Sequence, residues 1–360
     1  MVAPVRFPSG ISTFPTRHPL STFPTVPNMQ QMARVQEFFP FRGTSEWTST
    51  LVTGTIAPIP WPTGLLQFNN TAAGTSKSAL ALNGNLATNL GMQLLPGYST
   101  WLSAQIAPGP TNTDTNIYAG LFNNADPTAA TSGIYFIKPS GGTAVNLVMK
   151  RLFGGVTTTT TIQNVADLAR PSGIFGDTSS TVGTLGATQS GGYYNSISVT
   201  APGAGYASAP VVIATGATGA NATAFVGIGS GSLYAPYIAN SGNAAYTTAT
   251  LEVDHLIDLE LVIDSKGTVV VGVNGKQVCA IGYLGGTVLA AGGTVSAVTS
   301  NNYQMGTNLP VGISPIQPLL GSAYITLPSD ALVPAVALAN TTANIRNLYV
   351  ETINAGQEFF

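Results

Sequence analysis

The sequence predicts an all-β sandwich, and three observations lead there. Short runs that alternate apolar and polar residues follow one another from about residue 40 to 150, separated by Gly, Pro or Asn. No helical pattern of useful length interrupts them, and that rhythm is the one expected of stacked antiparallel sheets. The clearest instance is LELVIDSKGTVVVGVNGKQV, residues 259–278. Leu259, Leu261 and Ile263 share one face at period two, and Asp264-Ser265-Lys266-Gly267 supplies a polar turn. Val269, Val271 and Val273 alternate again, Asn274-Gly275 offers a second tight turn, and Gln277-Val278 resumes a strand.

The elements follow in order. Residues 1–30 are expected to form an extended, proline-rich arm in which STFPT recurs nine residues later, with Phe14-Pro15 and Phe23-Pro24 as aromatic anchors beside Phe7. Proline keeps this backbone out of helix, and such an arm has no core of its own. NMQQMARVQEFF, from Asn28, starts either a short capped helix or a strand. The sandwich is expected over 31–153 and 246–360, with LLQFNN, SALALNG, STWLSAQIAPG, IYAGLFNN, GIYFIKPSGG and AVNLVMKRLF as its early strands. In GIYFIKP, Ile134 and Phe136 take one face while Tyr135 and Ile137 take the other, which predicts a strand covered on both sides. Residues 154–245 are a Gly/Thr-rich insertion, opening with VTTTTTIQN and carrying a small β module at about 193–232. Within the module Ile197 and Val199 alternate, glycines break the strand, and Pro210 opens the next one.

Composition excludes several classes of function. Charged residues make up only 7% of the 360 residues, against roughly 25% in ordinary soluble domains, so solubility falls to Thr, Ser, Asn and Gln, or neighbours in an assembly cover the surface. The net charge of −2 provides no basic field for phosphates, so no nucleic-acid partner is expected. Cys279 stands alone within VCAIGYL, which rules out an intrachain disulfide and reads as a small core residue. MVAPVRFPSG lacks the charged-then-apolar pattern of a leader, and no run of 18 apolar residues occurs, so neither secretion nor a membrane span is expected.

The ordered series RFPSGISTFPT, EFFPFRGTSEWT, STWLSAQI, AGLFN, SGIYF, HLIDLELVIDSKGTVVVGVNGKQV and IRNLYVETINAGQEF resembles structural proteins of tailed-bacteriophage virions. Those proteins carry a concanavalin-like, laminin-G-like jelly roll. Separately, Gly203, Gly205, Tyr206 and Pro210 resemble the Gly-x-Gly-Tyr-x-x-x-Pro β repeat of phage baseplate, fibre and capsid-associated proteins. The resemblance implies a non-enzymatic capsid decoration or cement protein, assembled in the bacterial cytoplasm and sited on the virion. Its implied partners are the major capsid protein and copies of itself. Phe7, Phe14, Pro15, Phe23 and Pro24 of the arm are the expected partner-binding residues, and no cofactor is expected.

The same fold also serves sugar-cleaving and sugar-binding proteins, and the residues bear on both. Laminarinase-type glycoside hydrolases present Glu-x-Asp-x-x-Glu on one strand; here Glu252 and Asp254 fit, but Ile257 stands at the third position and leaves no acid for the leaving oxygen. Glu252, Asp254, Asp258 and Glu260 are expected instead to line a solvated strand edge. A carbohydrate-binding module or adhesin, with host-surface glycans as partner, needs exposed aromatic platforms, for which Trp47, Trp61 and Trp101 are candidates. Trp101, set in an alternating apolar run, reads as core. His18 and His255 lie too far apart in character to share a site, and turn formation explains Asp114 and Asp126 without a calcium ion between loops.

Overall fold

Alternation decides which side of each strand meets the core, and in the computed structural model it sorts most of the strands into two facing antiparallel sheets. The structure describes residues 36–37, 47–58, 65–82, 91–94, 98–109, 112–153, 155–175, 179–190, 193–207, 211–214, 221–226, 233–238, 251–254, 256–265, 267, 269–281, 327–328 and 330–359. One sheet has eight strands: β1 (Gln36–Glu37), β3 (Gly54–Pro58), β4 (Leu66–Asn70), β6 (Tyr98–Pro108), β17 (Ile257–Ile263), β18 (Val269–Val273), β19 (Lys276–Ile281) and β21 (Arg346–Phe359). They run in the order β19-β18-β17-β6-β21-β4-β3, with β1 also paired to β21. The facing sheet has seven: β2 (Trp47–Val52), β5 (Lys77–Leu82), β7 (Thr115–Phe122), β8 (Gly133–Lys138), β9 (Ala144–Phe153), β10 (Val156–Asp167) and β20 (Val333–Asn340), in the order β10-β9-β8-β7-β20-β5-β2. Among the described residues the sole helical element is the single turn Pro127–Ala129, so no helix is long and apolar enough to cross a membrane.

Between the sheets lies one core. Phe68, Leu102, Leu259, Leu261 and Val271 from the eight-stranded sheet cluster with Leu80, Ile117, Ile134, Phe136 and Leu147 from the seven-stranded one, all essentially without solvent exposure. Removing each such side chain from water contributes about 1.5–3 kcal/mol, so this face is the main source of stability. The hairpin expected at 259–278 is β17-β18-β19, with Leu259 opposite Val273 and Ile263 opposite Val269. Its second turn uses Asn274 at φ 48° and Gly275 at φ 75°, the paired positive angles that make Asn-Gly the favoured sequence there.

The strand Gly133–Lys138 is covered on both sides, as its alternation predicts. Ile134 and Phe136 enter the main core, whereas Tyr135 joins Phe122 and Val148 in a second cluster on the outer face of its sheet, its ring 4.7 Å from that of Phe122. At one corner the two sheets are tied by buried polar groups. The Asn70 amide donates to the carbonyls of Ser76 (3.0 Å) and Leu338 (3.1 Å), and its oxygen accepts from Ser78 Oγ at 2.7 Å.

A third sheet of six strands holds β11 (Thr184–Ser190), β12 (Tyr193–Ala201), β13 (Val211–Ala214), β14 (Asn221–Val226), β15 (Leu233–Ile238) and β16 (Leu251–Asp254), in the order β12-β11-β16-β13-β14-β15. Its extent corrects the boundaries expected from composition. The threonine tract does not open the insertion: as β10 it is a full strand of the sandwich, Thr159 opposite Lys150 and Thr160 opposite Met149. At the other end, Leu251–Asp254 pairs with Val211–Ala214, so the insertion runs on to Asp254 and the sandwich resumes with β17. Low complexity misled because a β-branched tract is good strand material whatever its repetitiveness.

Candidate functional site

The most developed polar cluster among the described residues lies where three connections of the sandwich meet: β6 to β7, β8 to β9, and β20 to β21. Asp114 is its centre. Arg346, the first residue of β21, donates from Nε to Oδ1 (2.6 Å) and from Nη2 to Oδ2 (2.8 Å), a bidentate pair. Asn344 Nδ2 donates to Oδ2 at 2.9 Å, and Thr342 Oγ1 donates to the same oxygen. The Asp114 carbonyl accepts from Thr341 N at 3.0 Å and from its hydroxyl at 2.7 Å. The guanidinium and these donors hold the Asp114 carboxyl far below the usual carboxylate range, against a smaller opposing effect of burial.

Beside this cluster, Lys138 at the end of β8 is buried, 1% exposed. Its ammonium donates to the Asn112 carbonyl and to Thr115 Oγ1 at 3.3 Å. Burial pushes its pKa down from 10.5 to about 8, and the nearby Asp114 charge only partly restores it. A lysine so placed is a buried cation whose contacts are neutral oxygens, and the loss of water disfavours its charged form more than those contacts restore it.

Asp126, the other aspartate considered for a hard cation, sits apart from Asp114 with its own counter-ion. Lys77 Nζ donates to its carboxylate, and Thr128 donates from N (3.0 Å) and Oγ1 (2.7 Å). Burial pushes the Asp126 carboxyl up, but the bonds from Lys77 and Thr128 outweigh it and hold it low. Each aspartate is therefore occupied by its own separate set of partners, and no group of three or more His, Cys, Asp or Glu suited to a metal occurs among the described residues.

The carboxylates of the hydrolase-like stretch are divided between two sheets. Glu252 and Asp254 lie on β16, in register with Ile213 and Val211 of the inserted sheet, whereas Asp258 and Glu260 lie on β17 of the sandwich, opposite Gln105 and Ser103. The expectation of one solvated edge fails for Glu260, which is 2% exposed in the interior of the eight-stranded sheet. Its strand has neighbours on both sides, β6 and β18, and an alternation pattern read on one strand cannot reveal that.

The two described tryptophans, Trp47 and Trp101, offer no platform. Trp101 is 2% exposed, packed with Val262 and Val270 and lying over Gly356, where a β-carbon would come within 2.5 Å of the indole. Trp47 is buried in the main core, and Trp61 lies outside the described residues. Among the described residues, a tight gap between the sheets is lined by Ile106, Ile117, Phe136, Lys138, Leu168 and Leu259, with no room for a ligand. Phe7, Phe14, Pro15, Phe23 and Pro24 of the arm, the helix-or-strand start at Asn28, both histidines and the side chain of Cys279 also lie outside the described residues.

The Gly-x-Gly-Tyr unit acquires a physical meaning. Gly203 and Gly205 have φ of 64° and 82°, and a β-carbon on Gly203 would stand 2.6 Å from both Gly183 N and Thr181 O. Thr181 and Ala204 exchange backbone hydrogen bonds of 2.9 and 3.0 Å, and Tyr206 Oη accepts from Gly183 N at 2.7 Å. The motif is a joint that clamps the chain entering the inserted sheet against the turn after β12.

No family model matches the chain, and no curated protein is similar to it. Among solved structures, a protein of unknown function from Shewanella oneidensis MR-1 is 8% identical over 94% of this chain and 92% of its own, with a TM-score of 0.36. The carbohydrate recognition domain of Emp47p is 11% identical over 86% of this chain and 88% of its own, TM-score 0.33. Peanut lectin, solved with a nine-residue peptide, is 10% identical over 91% and 98%, TM-score 0.33. At these scores the likeness is one of general shape. The strand orders given above define the fold in their own right: an all-β, concanavalin-like jelly-roll sandwich bearing an inserted sheet.

Proposed function

We infer that this chain is a non-enzymatic structural component of a bacteriophage virion, of the capsid-decoration kind, that works through its surfaces. The observation that carries the reading is the ordered series of short motifs, from RFPSGISTFPT to IRNLYVETINAGQEF, that resembles virion structural proteins over the ends and body of the chain. Two structural facts accord with it. The carboxylates nearest a glycosidase pattern are divided between two sheets, and Ile257 stands where the pattern's third carboxylate would be. The Asp114 carboxylate is engaged by Asn344 and Arg346 of the β20–β21 end of the sandwich, which suits a scaffold rather than a reaction centre.

A second reading is carbohydrate binding on the same fold, and the solved structures stand nearer to it than to a virion role, since two of those named above are a carbohydrate recognition domain and a lectin. With Trp47 and Trp101 buried, a glycan surface has to be built from other groups. Adding the purified full chain back to capsids that lack it, followed by co-sedimentation, tests the first reading; a glycan array tests the second. Binding to capsids without glycan signal supports decoration. Glycan binding without capsid binding replaces it with the lectin reading.

A further inference from the structure

We propose that the threonine-tract edge of the seven-stranded sheet is a dimerisation seam, on which β10 of a second copy of this chain pairs antiparallel about a two-fold axis through Thr159. The strand β10 is bonded to β9 along one side, and among the described residues no strand takes its outer side over Val156–Thr161. Farther along, the edge closes: a bulge falls between Thr161 and Gln163, and Ala166 bridges Ile174. The open part thus coincides with the run V-TTTTT, residues 156–161.

Natural sheets guard an open edge with lysine, proline or inward charge, and this stretch has none of them. What it has is self-complementarity. Residues 156–162 read V-TTTTT-I, so an antiparallel copy centred on Thr159 sets Thr157 against Thr161 and Thr158 against Thr160, each against its own kind. Opposed residues then lie on one face, with exposed Thr157, Thr159 and Thr161 on the outside and the more buried Thr158 and Thr160 within. Cross-strand threonine pairs are favourable and carry no charge to mismatch. Two of the exposed large apolar residues, Leu152 at 43% and Val156 at 64%, flank the hairpin that leads into this edge. Because identical strands meet, the partner the edge fits is this chain itself, and an isologous interface of that kind closes at two copies.

The inference is independent of whether the chain decorates a capsid or binds glycans. Sedimentation velocity of the full chain over a concentration series tests it, with Cys279→Ser as background for the cysteine arm. The parent protein is expected to pass from monomer to dimer. T157K/T161K, which sets lysine against lysine across the seam, is expected to weaken the dimer at least tenfold, with the melting temperature unchanged when both proteins are compared at concentrations where they are monomeric. T157E/T161K is expected to keep the dimer, because each introduced acid then faces an introduced base of the other copy. Thr159→Cys should cross-link to a dimer on oxidation faster than Thr158→Cys, which is displaced from the axis. A parent chain that stays monomeric, or a T157K/T161K dimer as tight as the parent, overturns the proposal. Should T157K/T161K fail to fold, the cysteine pair decides, and equal or absent cross-linking counts against the seam.

Discussion

The sandwich and the inserted sheet are both antiparallel and both nearly free of charge, yet they are held in different ways. The sandwich encloses a continuous core of Leu, Ile, Val and Phe contributed by two facing sheets. In the inserted sheet the best-defined tie is a backbone contact, with two glycines at positive φ, a pair of main-chain hydrogen bonds and a tyrosine hydroxyl. A core of this kind tolerates small shifts by repacking, whereas a close backbone approach admits no side chain at all. The two parts should therefore fail differently when a single residue is changed.

The largest effect is expected in the core. Phe136→Ala removes a ring that is fully enclosed between the sheets and should cost about 3–5 kcal/mol of unfolding free energy. Denaturant unfolding followed by tryptophan fluorescence measures it, since Trp47 and Trp101 both lie on strands of the sandwich. A loss under about 1 kcal/mol would show that the two sheets do not depend on their shared core. Next comes Gly203→Val, which forces a β-branched residue to positive φ against Gly183 and Thr181 and should cost about 1–3 kcal/mol locally. Hydrogen exchange should quicken across residues 184–201 and leave 257–273 unchanged. Equal acceleration in both would mean that the two parts unfold as one unit.

This contrast also governs what the sequence made legible. Strands with one apolar face, such as 259–263 and 269–273, were readable because burial on one side leaves a period of two in the residues themselves. The two-sided strand 133–138 is readable for a different reason, a continuous apolar run that puts apolar side chains on both faces. The threonine tract does not declare itself as a sandwich strand, since its residues are polar and its partner β9 is identified only by tertiary pairing. The burial of Glu260 is not legible on its own strand, because it comes from neighbouring strands brought in from residues 98–108 and 269–273. The Asp114 cluster was invisible for a similar reason: Arg346 lies 232 positions away, and the aspartate by itself reads as a turn residue. For Gly203, Gly205 and Tyr206 the spacing was visible as a motif, but the close approach that requires it was not.

A smaller effect should sharpen the picture of the loop end. Arg346→Leu removes the bidentate partner of Asp114 and should cost about 1–2 kcal/mol at neutral pH. The carboxyl pKa is depressed in the folded chain, so the stabilisation is complete above the unfolded value of about 4 and fades as the pH falls through and below it. The gap in stability between the parent and Arg346→Leu should accordingly narrow in acid. A gap that stays constant down to pH 2 would mean that Arg346 contributes through packing of its stem and not through the ion pair.

The smallest effect at neutral pH is expected at Lys138, and there the informative quantity is a slope. Lys138→Met relieves the burial of a cation but leaves the Asn112 carbonyl without its donor, so the two changes should offset to within about 1 kcal/mol. Above neutrality they separate. The folded chain releases the Lys138 proton near pH 8, whereas the unfolded chain keeps it to about 10.5. Between those values the unfolded state binds more protons, so the parent's stability should climb with pH relative to the variant's. Thermal melts of both proteins at steps from pH 7.5 to 10.5 provide the comparison, with the difference between them as the readout. Parallel curves through that window would show that Lys138 keeps its charge at ordinary cost, and that the oxygens of Asn112 and Thr115 solvate the ammonium as well as water does.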